Sequence, residues 1–233
     1  MPVATPPPRA RMLLGALLQP ALLALLLFRP PGVLTWRAAW ALVGVALAAT
    51  IASMVVLARA DPALLAERFR LPVQRGQSRA DRVVVLLFVA AFCGAMRFVP
   101  WDVFALRLLP PPGTAVAVCG LGLVLAGWWL IVAAMRANEF AVPVVRSQTE
   151  RRQRVVADGP YAVVRHPMYA GATLLLVGMP LWLGSTAGAL AACVPIALLV
   201  VRIGIEERFL RGALPGYDAY AGRVRSRLVP GVW

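Results

Sequence analysis

The sequence predicts an all-α integral membrane protein of five to six transmembrane helices, the last two a short helical hairpin. Three observations carry that prediction: 61% of the 233 residues are hydrophobic and only 15% charged, the hydrophobic residues fall in long runs, and the arginines cluster between the runs. An ordinary soluble domain carries about 25% charged residues. The polar connections are too short to hold a separately folded soluble unit, so residues 1–233 are expected to form a single membrane domain.

Spanning a hydrocarbon layer of about 30 Å takes roughly 20 helical residues. Six apolar runs approach that length, at 11–28, 38–57, 83–99, 114–135, 169–183 and 186–201. The first follows basic residues as a secretory signal would, but Phe28-Arg29-Pro30-Pro31 offers no small-residue cleavage site, so it reads as a retained anchor. The proline-rich residues 1–8 read as a disordered tail. The last two runs are short, are separated by Gly184-Ser185 and contain Pro180 and Pro195. A kinked or incompletely spanning hairpin therefore stands beside a sixth full span.

The formal net charge is +14, and every one of the 24 basic residues is arginine. A basic patch for nucleic acid requires clustering on one surface. Here the arginines instead alternate by side, with twenty of the 24 in the tails and connections of one side, so no nucleic-acid partner is expected. The positive-inside rule then places both termini and the two long loops in the cytoplasm. Abundant Ala, Arg, Gly and Pro without Lys suit a bacterial inner membrane, with the endoplasmic reticulum as the alternative location.

Cys93, Cys119 and Cys193 each sit inside an apolar run without metal-ligand spacing, and read as small core residues. With His166 the only histidine, neither a protein-built metal centre nor a Ser-His-Asp triad is expected.

The polar chemistry gathers at two places. Between the fourth and fifth runs, Arg151-Arg152-Gln153-Arg154 leads to Asp158-Gly159-Pro160-Tyr161 and then to Arg165-His166-Pro167-Met168-Tyr169. Gly159-Pro160 predicts a tight turn, and Pro167 suits the first turn of a helix, which puts Arg165 and His166 at that helix mouth. The second place is Arg202, Glu206 and Glu207 at the end of the sixth run, where Arg202 and Glu206 share a helix face. Acids this near hydrocarbon are functional candidates, against the alternative of a snorkelling arginine with solvated partners. Trp128-Trp129 reads as helix packing or a lipid contact, with the lining of an acceptor tunnel as the alternative.

In order along the chain stand Gly159-Pro160-Tyr161, Arg165-His166-Pro167-x-Tyr169-x-Gly171, Glu206-Glu207-x-x-Leu210 and Tyr217-x-x-Tyr220. Together they resemble the isoprenylcysteine carboxyl methyltransferase family and the related phospholipid methyltransferases, over roughly residues 138–233. The hydropathy of 1–137 gives four transmembrane helices, and the resemblance implies a methyltransferase-like core in 138–233 with a cytoplasmic pocket for S-adenosylmethionine. A lipophilic small-molecule or lipidated substrate would enter from the bilayer.

Carried over by position, the resemblance implies that Gln153, Val155, Val156, Tyr161, His166, Pro167, Tyr169 and Glu206 hold the cofactor and that Arg202 meets the substrate, and Arg165 beside His166 can donate to the cofactor's carboxylate. A carboxylate acceptor, with a reference pKa of about 3.5, is already ionised and needs no base, leaving Arg202 to orient it. A phospholipid amine acceptor needs deprotonation, for which His166 and Glu207 are the candidates. Two further readings remain: a sterol-reductase-like oxidoreductase using NADPH, since those enzymes share an Arg-His-Pro-x-Tyr element, and a non-catalytic membrane scaffold.

Overall fold

The computed structural model describes residues 9–29, 33–60, 77–140 and 153–233, and the long elements among them are all helices. The proline-rich residues 1–8, together with Arg151 and Arg152, lie outside the described residues. The apolar runs become α1 (Arg9–Phe28), α2 (Arg37–Ala60), α3 (Arg79–Trp101), α4 (Thr114–Ala137) and α5 (Pro167–Trp182), and the sixth run becomes α6 (Thr186–Ala191) and α7 (Cys193–Ala213). A short α8 (Tyr217–Arg223) follows. Four stretches, Arg37–Arg59, Arg79–Leu106, Thr114–Ala137 and Thr186–Ala213, are long and apolar enough to cross a membrane, while Leu17–Phe28 and Pro167–Trp182 are shorter apolar helices. This is an all-α membrane architecture.

Local chemistry sets the helix ends. Ser78 caps α3, its Oγ accepting the Asp81 amide at 3.1 Å, and Asp81 in the first turn complements the positive end of the helix. Pro167 opens α5 at a position where a missing N–H costs nothing. At the far end of the bundle, Ser185 caps α6 by accepting from the Gly188 amide. The Ser185 hydroxyl donates to Asp102 at 2.6 Å, and Asp102 also accepts from the Leu108 amide at 3.0 Å, so this buried pair ties the α3 end to the start of α6. The last apolar run ends in the sequence at Val201, but α7 continues without a break to Ala213 and carries Arg202, Glu206 and Glu207 as one helix.

The tightest packing joins α4 to α5. Gly120 of α4 faces Gly178 of α5, and Gly127 faces Gly171, so the two helices run antiparallel. A Cβ added to Gly127 would lie 2.5 Å from the Gly171 carbonyl oxygen, and one added to Gly171 would lie 2.6 Å from the Gly127 oxygen. Backbone meets backbone there, as small residues allow between helices in lipid. Around this seam, Leu27, Leu42, Met96, Val99 and Leu183 form the most deeply buried cluster.

Many other apolar residues face outward, Trp129 at 69% exposure among them. Cys119 and Cys193, expected in the core, are likewise exposed and Cys93 is half-buried. The reason is physical: in lipid a small apolar side chain gains as little by facing the interior as the tails outside it, so hydropathy does not assign it a side. A cavity of about 210 Å³ remains at mid-height, lined by Gln19, Leu22, Phe88, Phe92, Trp128, Ala172 and Leu176, among others. Trp128 lines it while its indole N–H donates to Ser53 at 2.9 Å.

The seam generates a stability test. Gly127→Ala should destabilise the protein by about 1–3 kcal/mol, the usual cost of overpacking, whereas Gly122→Ala, where nothing lies within 4 Å, should change nothing. Thermal unfolding of the two variants in detergent measures the difference.

Candidate functional site

The site forms where the start of α5, the end of α7 and the tail after α8 meet. The Arg165 and His166 amides donate to the Ser226 and Arg227 carbonyls at 2.9 and 3.0 Å, laying the tail alongside the mouth of α5. Upstream, Gly159 takes a φ of 58°, a left-handed conformation that glycine adopts without strain, and the single turn Gly159–Ala162 follows. That turn presents the Tyr161 carbonyl to the Tyr220 hydroxyl at 2.8 Å, which anchors α8.

Glu207 is the centre of one polar group. Its buried carboxylate is 2.9 Å from Arg165 Nε, 3.2 Å from His166 Nε2 and 3.2 Å from Arg227 Nε. The Arg165 guanidinium also donates to the Ala221 and Val224 carbonyls at 3.2 and 3.3 Å, so it holds the end of α8. A carboxylate removed from water is tolerable only with such compensation.

The second group is centred on Tyr169, one turn into α5. Its ring stacks on His166 with centroids 5.5 Å apart, and its hydroxyl donates to Glu206 at 2.5 Å. The Arg202 guanidinium lies 5.6 Å from the same ring centroid, while Arg202 Nε donates to Asp81 of α3 at 3.0 Å. Asp81 is fully buried and also accepts from Gln77 at 2.7 Å.

The structure thus brings Arg165, His166, Pro167, Tyr169, Arg202, Glu206 and Glu207 together at one end of the bundle. Tyr161 is buried beside α8, Val155 packs against the Leu214, Tyr217 and Tyr220 cluster, and Gln153 and Val156 are half-buried on the same approach. Two roles look different once the geometry is visible. Arg165 turns inward to an ion pair with Glu207 and hydrogen bonds to backbone carbonyls, and Glu207 is surrounded by Arg165, His166 and Arg227 within 3.2 Å, which makes it a poor proton acceptor.

Sequence reasoning missed Asp81, Gln77 and Arg227. For Asp81 the available signal was an acid at the lip of an apolar run, the same signal that singled out Glu206 and Glu207. Arg227 stood in the noted tail, but nothing in the local sequence pairs it with a residue 20 positions earlier.

The tail helix has a titration signature. Burial, opposed by the Arg165 charge and reinforced by Glu207, pushes the Tyr220 hydroxyl from 10.0 up to about 12. Burial also raises Tyr217, helped by the Glu207 and Glu206 charges. Both phenols stay neutral in the folded state after the unfolded chain has ionised, so the stability they contribute falls as pH rises from about 10 through about 12. Tyr220→Phe should cost about 1 kcal/mol below that window and flatten the alkaline loss, as followed by tyrosinate absorbance and thermal unfolding across pH.

Residues 115–215 match the family model described as phospholipid methyltransferase. No curated protein matches the chain. The matched stretch runs from α4 to the end of α7 and contains His166, Tyr169, Arg202, Glu206 and Glu207, whereas Asp81, Arg227 and α8 lie outside it. Over that stretch the chain is similar to a methyltransferase family, which supports a membrane methyltransferase of the phospholipid or isoprenylcysteine kind.

Proposed function

We propose that the protein is an integral-membrane methyltransferase that uses S-adenosylmethionine to methylate a carboxylate on a lipophilic acceptor. The observation that carries this reading is the linked set His166, Tyr169 and Glu206, inside a stretch similar to phospholipid methyltransferases. The donor set suits that cofactor. It carries a sulfonium, an ammonium and a carboxylate beside an adenine, and the site offers an acid in Glu206, aromatic surface in Tyr169 and cations around Glu207.

Bound there, S-adenosylmethionine supplies the electrophilic methyl group. The protein's own part is orientation and exclusion of water, the main sources of acceleration in an in-line displacement. Glu206 fixes the Tyr169 ring through its hydroxyl, His166 covers one face of that ring, and the tail of 226–233 closes over the mouth of α5. Because Glu207 is committed to Arg165, His166 and Arg227, a reaction that needs no general base fits this site, and an ionised carboxylate is such an acceptor. Arg202 orients the acceptor, and the apolar cavity lined by Phe88, Phe92 and Ala172 receives its lipophilic part, those three residues packing against the same buried cluster of Leu176, Ala192 and Leu199 as Tyr169. The arginine-rich end carrying the site faces the cytoplasm, with both termini, and a bacterial inner membrane is the preferred location.

A phospholipid amine acceptor is a second reading, favoured by one observation: Arg202 is already paired with Asp81 and Tyr169 bonds Glu206, a surrounding that suits a cation.

Calorimetry of the purified protein with S-adenosylhomocysteine should show saturable binding, and His166→Ala or Glu206→Ala should weaken it at least tenfold at unchanged expression. Incubation with methyl-labelled cofactor and a lipid extract, followed by mass analysis, should label a carboxyl ester; a labelled amine would select the second reading. Saturable NADPH binding without cofactor binding would replace both readings by a reductase, and wild-type behaviour of both variants would leave a scaffold.

A further inference from the structure

On the short helix α8, Tyr217, Tyr220, Ala221 and Val224 recur at helical spacing and share the face turned to the bundle. The Tyr220 hydroxyl on that face donates to the Tyr161 carbonyl, and the Ala221 and Val224 carbonyls accept from Arg165. The Tyr217 hydroxyl is different. The residue is 4% exposed, its oxygen is shut off from solvent, and it has no hydrogen-bond partner among the described residues. Leaving a hydroxyl buried and unbonded destabilises a fold, and in a native protein such a group calls for a partner from beyond the chain or a role in its chemistry.

What surrounds the phenol points to that partner. The Tyr217 ring packs with Leu214, Tyr220 and Ala221, and Val155, on the approach to the site, packs against the same cluster. The charges that act on it are Glu207, Glu206 and Arg165. At this end two guanidiniums, Arg165 and Arg227, stand against the single carboxylate of Glu207, an arrangement that favours an anionic group. Glu206 instead points to Tyr169, where its charge suits a cation. A phenol beside two acids keeps its proton and acts as a donor. The acceptor it needs is present in the amino-acid part of the proposed cofactor, which ends in a carboxylate next to an ammonium.

Resting on the function proposed above, we infer that Tyr217 is a further cofactor-binding residue: its hydroxyl donates a hydrogen bond to the carboxylate of S-adenosylmethionine, while Glu206 takes the ammonium. Tyr217 lies beyond residues 115–215, so the stretch similar to the methyltransferase family does not include it. The tail helix then does more than lie against the site. It carries a donor whose bond is completed by the cofactor itself.

Three measurements on the full-length protein in detergent test this. By calorimetry, Tyr217→Phe should bind S-adenosylhomocysteine, which keeps the carboxylate, about tenfold more weakly than the wild type does, as expected for one lost hydrogen bond to a charged acceptor. The decarboxylated analogue of that ligand should not distinguish the two proteins. Without ligand, Tyr217→Phe should melt at the wild-type temperature or a few degrees above it, because the unbonded hydroxyl is gone, whereas Tyr220→Phe, which loses a formed bond, should melt lower. Weaker binding with undiminished stability is a combination that a merely structural tyrosine does not give. Unchanged affinity for S-adenosylhomocysteine in Tyr217→Phe, an equal loss with the decarboxylated analogue, or a lowered melting temperature without ligand would each overturn the inference. Failure of the wild type to bind S-adenosylhomocysteine would instead overturn the methyltransferase reading itself, and the inference with it.

Discussion

A carboxylate buried where a helix leaves the bilayer has to be matched by cations, and the arrangement of the functional end follows from how Glu207 meets that requirement. Arg165 and His166 come from the mouth of α5 and Arg227 from the tail, so two separate stretches are tied to one point on α7. Removing one partner of such a buried pair typically costs about 3–5 kcal/mol, because the remaining charge is stranded. Successive residues on a helix point about 100° apart, so Glu206 cannot share this set. It points instead to Tyr169, and the two adjacent acids take different duties, one fixing the loop and tail and the other facing the ring.

Much of the fold was legible because length and hydropathy fix where a membrane helix can lie. Each of the six apolar runs is helical, with boundaries displaced by only a few residues for α2, α3 and α4. The end of α7 was not legible: hydropathy stops at Val201, but the helix carries its charged residues onward because Arg202, Glu206 and Glu207 all find partners inside the bundle. Which way a residue faces was also hidden, as Cys119 and Cys193 show, since lipid and protein interior are equally apolar.

The site was legible in its local part. His166, Pro167 and Tyr169 stand within one helical turn, and Glu206 and Glu207 announce themselves as acids beside hydrocarbon. What could not be read is pairing across the fold. Nothing in the sequence near Arg202 names Asp81, and nothing near Glu207 names Arg227; those contacts exist only once α3, α7 and the tail have been brought side by side. The glycines were visible, spaced seven apart on both α4 and α5, but their significance lies in facing one another.

That glycine seam decides how the bundle can breathe. With backbone laid on backbone at Gly127 and Gly171, parting α4 from α5 would exchange intimate contact for empty space that no side chain is long enough to fill. The pair behaves as a rigid post. On the function proposed above, a lipophilic acceptor would therefore enter at another flank of the bundle.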